Sequence, residues 1–317
     1  MATVGPRETV GRDAAAPEVV AGAGAQAGAP IQRGSLWRDA WRRYIQNKGA
    51  VVAGTIFLLI VLYCLLWPLI SPYDPNEQDL SASRQSPSLE HPFGTDAFGR
   101  DMLTRTALAG RISLAIGLGA TVAILVFGVI YGSISGFFGG RLDNIQMRLL
   151  DALYGLPYLP FAIILLAIIG TINMWTMILA LSIASWFTAA RIVRGQIITL
   201  KQNDYIRAAQ ALGARWYRVL SRHLLPNTLG VLIIAMFLEL PGVILGEAFL
   251  GFIGLGISPP DASLGSMAEE GRAEYRANPH IMVVPSLAIA ILVLCANFIA
   301  DGARDALDPR TRETKEG

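Results

Sequence analysis

Residues 204–230 read DYIRAAQALGARWYRVLSRHLLPNTLG, a polar and basic stretch set between two long apolar runs. The pattern predicts two short helices. Asp204 is placed to cap the first, and Ala208, Ala211 and Leu212 fall at i, i+3 and i+4 on one face. Gly213 stands where a C′ glycine would close that helix in a left-handed turn. The second helix carries Arg215, Arg218 and Arg222 among Trp216, Val219 and Leu220. Pro226 is expected to break its ladder just before the next apolar run, where a first-turn proline is tolerated. A small-residue knob between two apolar segments reads as a docking surface for a soluble partner. The competing reading is an ordinary amphipathic loop.

Outward from that stretch, the composition sets the class. The chain is 53% hydrophobic and 16% charged, with a mean hydropathy of +0.47, whereas soluble domains carry roughly 25% charged residues. Six apolar runs, near 50–70, 112–138, 147–169, 174–192, 229–249 and 282–300, are each long enough to cross about 30 Å of hydrocarbon as a helix. Helices are the required choice, because isolated strands would leave backbone groups unpaired in lipid. The expected class is therefore an all-α membrane protein with six transmembrane helices, the third and fourth joined by a tight turn around Gly170 and Asn173.

Lysines and arginines near the span ends orient the chain. Arg38, Arg42, Arg43 and Lys48 precede the first span. Arg141 and Arg148 lie between the second and third, and seven basic residues from Arg191 to Arg222 between the fourth and fifth. Arg304, Arg310, Arg312 and Lys315 follow the sixth. The alternate loops hold Asp74, Glu77, Asp79, Glu90, Asp96 and Asp101, then Asp261, Glu269, Glu270 and Glu274. Both termini and the 204–230 loop are thus expected on the cytoplasmic side.

The chain divides accordingly. Residues 1–34, rich in Ala, Gly and Pro without periodicity, form an expected disordered cytoplasmic leader that lacks a secretory signal's layout. Residues 35–49 suit a basic amphipathic helix on the membrane surface. The first span (50–70), an extracytoplasmic loop (71–110), a core of five spans (111–301) and a cytoplasmic tail (302–317) follow. A formal charge of +2 gives no argument for nucleic acid, and Cys64 and Cys295 lie inside apolar runs as expected buried thiols.

Little here can do covalent chemistry. His91, His223 and His280 occupy separate loops without ligand spacing, and no phosphate-binding loop with its lysine is present, so the chain has no P-loop of its own to hydrolyse ATP. Glu239, near the middle of the fifth span, is the clearest intramembrane ionisable group: it either lines a polar path or fixes helix packing through a buried carboxyl. Asp151 and Glu247 lie near span ends, where a structural role is expected. Gly128, Gly132 and Gly136 form a GxxxGxxxG row that permits close helix contact, within one subunit or between two.

The loop at 204–230 resembles the EAA loop of binding-protein-dependent ABC importer permeases, whose pattern is EAA, three residues, Gly, nine residues, then I-x-L-P. Ala208, Ala209, Gly213, Leu225 and Pro226 match; Arg207 replaces the glutamate and His223 the isoleucine. RHLLPN is similar to the form in the dipeptide/oligopeptide branch. Four further segments resemble that branch's C-type subunit: 41–76, HPFGTDAFGRDMLTRTALAGRIS from His91, EAFLGFIGLGISPPDASLGSM from Glu247, and ADGARDALDPR from Ala300.

The resemblance implies a type I ABC importer permease fold and a set of partners. A homologous B-type permease subunit would complete the path, and ABC ATPase subunits carrying ATP and Mg²⁺ would grip the knob in the cytoplasm. An extracytoplasmic solute-binding protein would deliver di- or oligopeptides. Ala208, Ala209, Ala211, Leu212, Gly213, His223, Leu225 and Pro226 would form the ATPase-coupling site. Gly94, Thr95, Asp96, Gly99, Arg100 and Asp101 form the outer-loop signature, which either meets the binding protein or is a self-capped turn. Glutathione or a nickel complex is the alternative cargo; a secondary transporter, a channel or a signalling protein are the rival classes. No cofactor or metal is expected on this chain, and the expected location is the bacterial inner membrane.

Overall fold

The computed structural model describes residues 36–307. The leader at 1–34 and the tail beyond 307, with Arg310, Arg312 and Lys315, lie outside the described residues. Helix α1 (Leu36–Gln46) turns into α2 (Lys48–Ile70) at Asn47, whose side chain accepts a hydrogen bond from the Ala50 amide at 3.1 Å. The amphipathic segment is therefore shorter than expected, because Asn47 caps the next helix instead of extending this one. Trp41 stacks on Tyr44 at 6.0 Å between centroids. Leu59, Leu62, Leu66 and Leu69 leave α2 with a broad exposed apolar face, the side suited to lipid.

Helix α3 (Met102–Phe138) starts ten residues ahead of the expected second span. Hydropathy discounts its first turns because of Arg105, yet that arginine is buried and paired. The third span departs more sharply from expectation. Helices α4 (Gly140–Tyr154) and α5 (Tyr158–Ile169) replace one continuous helix and meet at 93°. Pro157 has no N–H to donate and disfavours helical backbone at Leu156, so the ladder stops at Tyr154 and restarts one residue after the proline. Among the described residues five helices are long and apolar enough to cross a membrane, six if the bent pair counts as one.

Gly170 (φ +77°) and the capping box of Asn173 with Thr176 make the expected tight turn into α6 (Met174–Lys201). Helices α7 (Asp204–Ala211) and α8 (Trp216–Val219) follow, then a π turn (Leu220–Leu224), α9 (Leu225–Leu250) and a second π turn (Gly251–Leu255). Pro226 does not break the helix. The wider π turn, in which the Leu225 amide reaches back to Leu220 O, absorbs the proline, and the run continues from Trp216 to Leu255. Helices α10 (Leu264–Arg272) and α11 (His280–Leu307) complete the chain.

The core forms around α3 and α6, the most intimately packed pair. A Cβ on Gly128 would meet Ala189, one on Gly132 the Ala190 carbonyl, and one on Gly136 the Arg194 carbonyl at 2.9 Å. The glycine row thus closes a contact inside the subunit, and Ile116, Ile124, Leu181, Val243 and Leu250 fill the space around it. Beyond the row, Arg194 holds Asp143 with two hydrogen bonds, at 2.5 and 2.6 Å, tying α4 to α6. The start of α2 and the ends of α3, α6 and α11 share one end of the bundle with α7 and α8; the loop at 71–101 and α10 cap the other.

Candidate functional site

The knob is built from its buried side outward. Ile206, Val219 and Leu224 are fully buried against Val193, Ile197 and Phe137 at the ends of α6 and α3, which fixes α7 and α8 to the bundle. Asp204 opens α7 in its first turn, and Asn203 holds the cap position without a side-chain bond. At the other end Gly213 (φ +81°) donates to Gln210 O at 2.9 Å and Ala214 donates to Ala209 O at 3.1 Å. These two bonds are a Schellman closure, as the glycine's position led one to expect.

The apolar stripe of α7 faces outward. Ala208, Ala211 and Leu212 are all exposed, Leu212 by 89%, and only Ala209 is half-buried. Tyr205, Trp216 and Tyr217 add exposed aromatic surface beside them. His223 and Tyr205 lie with ring centroids 6.5 Å apart, and Asn227 donates to His223 O at 2.6 Å; Leu225 is half-buried and Pro226 exposed at the same edge. Of the eight residues, Ala208, Ala211, Leu212, Gly213 and Pro226 are exposed and Ala209, His223 and Leu225 half-buried, above a base seated by Ile206, Val219 and Leu224.

At the opposite end, the outer-loop residues gather into a buried network. Asp96 accepts the Phe98 and Arg100 amides on one oxygen, at 2.8 and 3.0 Å, and Arg100 Nε at 2.6 Å and Arg105 on the other. Both arginines continue to Glu270 on α10, at 3.3 and 3.1 Å. Two cations and two carboxylates thus balance where water is scarce. Asp101 caps α3 through the Thr104 amide at 2.8 Å and meets His91 Nδ1 at 3.0 Å. Thr104 in turn contacts Ser71 at 2.6 Å, joining the end of α2 to the start of α3.

Thr95 is fully buried, its hydroxyl accepting from the Gln85 amide at 2.8 Å. Gly94 and Gly99 both have φ +75°, and a Cβ on Gly99 would overlap the Asp79 carbonyl. The polar atoms of Asp96, Arg100 and Asp101 are thereby spent inside the protein. On the rim, Arg84 pairs with Glu274 at 2.8 Å, and the bond it donates holds the Glu274 carboxyl below its ordinary range. Arg105 escaped the sequence reading, which placed Glu270 and His91 only as a loop carboxylate and a loop histidine. The available signal was the arginine of MLTRTALAG at the head of a largely apolar helix, which demands a partner.

Glu239 lies within the bilayer-length part of α9 and faces a cavity of about 270 Å³ lined by Tyr154, Leu156, Tyr158, Ser185 and Thr188. No hydrogen bond or ion pair engages it among the described residues. Asp151 pairs with Arg191 at 2.6 Å, and Glu247 is fully buried at the end of α9 with neither carboxyl oxygen hydrogen-bonded among the described residues. Among the described residues no three His, Cys, Asp or Glu side chains are arranged to hold a metal ion. Cys64 and Cys295 are buried free thiols.

Two family models match the chain: "Binding-protein-dependent transport system inner membrane component" over residues 124–313, and "N-terminal TM domain of oligopeptide transport permease C" over residues 35–87. The oligopeptide transport system permease protein OppC of Bacillus subtilis (strain 168) is 43% identical over 279 residues, covering 88% of this chain and 91% of that protein. The dipeptide transport system permease protein DppC of the same organism is 40% identical over 279 residues, covering 88% and 87%. Among solved structures, an inward-facing MetNI methionine ABC transporter superposes with a TM-score of 0.49 and 20% identity over 65% of this chain and 97% of that one.

Proposed function

We propose a function from one premise: the chain belongs to the binding-protein-dependent transport system inner membrane component family, and is a multi-pass permease subunit of an ABC transporter. Its cargo is a di- or oligopeptide. The support is that relatives named for oligopeptide and dipeptide transport match nearly nine-tenths of the chain. The path across the bacterial inner membrane is completed by a homologous B-type permease subunit. An extracytoplasmic solute-binding protein supplies the peptide, and cytoplasmic ATPase subunits holding ATP and Mg²⁺ supply the work.

The observation that carries this reading is the knob. Its base is locked by Ile206, Val219 and Leu224, while Leu212 and its neighbours project apolar surface that none of the described residues covers. Exposed apolar patches on such a rigid seat mark interaction sites. Both termini are assigned to the cytoplasm, because α1, the knob and the end of α11 share one end of the bundle and carry the basic residues. The buried outer-loop signature orders its end of the bundle, and its rim meets the binding protein. Nucleotide and peptide act by binding inward- and outward-open states with different affinity.

Co-purification of the detergent-solubilised complex tests the assignment. A P-loop ATPase is expected in stoichiometric amount with this chain, and its absence from an intact, peptide-transporting complex would overturn the reading.

A further inference from the structure

We propose that the Glu239 cavity is the permease's receptor for a primary ammonium group of the passing peptide, an inference that rests on the peptide-importer reading and deepens it. The carboxylate lies mid-helix in α9 with no partner, although an ionised group at membrane depth is ordinarily paired or aimed at a polar route. Arg191, whose guanidinium lies 4.6 Å from the centroid of the lining residue Tyr154, is paired with Asp151 at 2.6 Å. Glu239 is the only acidic or basic side chain in the cavity lining.

The remaining walls narrow the ligand class. Ser185 and Thr188 on α6, with Tyr154 and Tyr158, put hydroxyl-bearing side chains in the lining. Glu239 is the lining's only carboxylate, and among the described residues no three His, Cys, Asp or Glu side chains are grouped to hold a metal ion. A primary ammonium, with three donors, suits a carboxylate and hydroxyls together. At about 270 Å³ the cavity is just under the roughly 300 Å³ at which pockets take a drug-sized ligand, so it holds one end of a peptide. Tyr154 at the end of α4 and Tyr158 at the start of α5 flank the 93° bend and both line the cavity.

The test uses the full transporter in vesicles with its own binding protein, each probe saturating that protein. The probes are trialanine, N-acetyl-trialanine, and N-acetyl-Ala-Lys-Ala, which separates a chain terminus from a lysine side chain as the ammonium source. Glu239→Gln is expected to lower the uptake ratio of an ammonium-bearing probe to N-acetyl-trialanine by about tenfold, the change one lost charge-assisted hydrogen bond produces. Glu239→Asp, which keeps the charge on a shorter stem, should recover part of that ratio. Equal loss of all probes in both variants, or unchanged ratios, would overturn the ammonium site. Failure of the wild-type transporter to move any of the three would instead refute the peptide-importer reading.

Discussion

Arg105 and Glu270 lie 165 positions apart in the chain and meet at 3.1 Å in a partly buried pair that binds the first turns of α3 to α10. Asp96 contacts the same guanidinium, and Arg100 contacts both carboxylates. One cluster therefore joins the loop after the first span to the loop after the fifth.

Removing Arg105, itself about 4% exposed, leaves Asp96 and Glu270 with Arg100 as their remaining cation in the cluster. Arg105→Ala is expected to cost less than the roughly 3–5 kcal/mol of breaking a fully buried pair, because Arg100 still contacts both carboxylates and Glu270 is partly exposed. Thermal unfolding of the purified protein in detergent should show a clearly lowered midpoint, with Arg105→Lys intermediate. An unchanged midpoint would argue that the cluster is idle.

Gly99 tests the loop independently of charge. Its left-handed backbone costs an L-residue about 1–2 kcal/mol, and the Asp79 carbonyl occupies the space a Cβ needs. Gly99→Ala should expose residues 79–99 to limited proteolysis while the membrane-embedded helices stay protected.

Gly213 has the same backbone handedness but open surroundings. Gly213→Ala should therefore cost only the strain, about 1–2 kcal/mol, and leave co-purified ATPase largely in place. Gly213→Asp adds a charge to the apolar knob and should abolish transport while membrane insertion persists. Peptide uptake at the wild-type rate by Gly213→Asp would remove the docking role.

Gly132 probes the helix seam. A valine there must push α3 from the Ala190 carbonyl of α6, and overpacking of this kind costs about 1–3 kcal/mol. The expected readout is a lower unfolding midpoint and faster hydrogen exchange in both helices.

The rim pair Arg84–Glu274 gives a pH dependence. The folded Glu274 carboxyl is held below its ordinary value of 4.5, mainly by the hydrogen bond from Arg84. Its stabilising share is thus complete above that value and fades as acidification passes below it. Amide exchange around residues 80–85, corrected for intrinsic rates, should rise over that acid range in the wild type. In Glu274→Gln it should already be raised at neutral pH.

The helical class, five of the six spans and the left-handed stop at Gly213 were legible because they rest on local rules: apolar length, terminal residues and a glycine's freedom. The 93° break at residues 155–157 was not, since mean hydropathy runs smoothly through Gly-Leu-Pro while the proline interrupts only the ladder. Pro226 erred the other way. A proline after a basic turn looks like a stop, but a π turn lets the helix pass it. The coupling signature was readable as a motif, though which face of α7 packs was not, because Ile206 alone anchors it. The outer network was hidden for a different reason: Arg105 and Glu270 find each other only through tertiary folding.

The run from Trp216 to Leu255 has a mechanical meaning. Its 40 residues at 1.5 Å each amount to a strut of about 60 Å, longer than the membrane is thick. The strut has a soft joint near each end: the π turn at Leu220–Leu224, and the one at Gly251–Leu255, where Gly254 turns left-handed (φ +88°). Between the joints Pro241, two residues past Glu239, removes one bond of the ladder. The carboxylate therefore stands beside a point where the strut can bend, not in the middle of an unbroken rod.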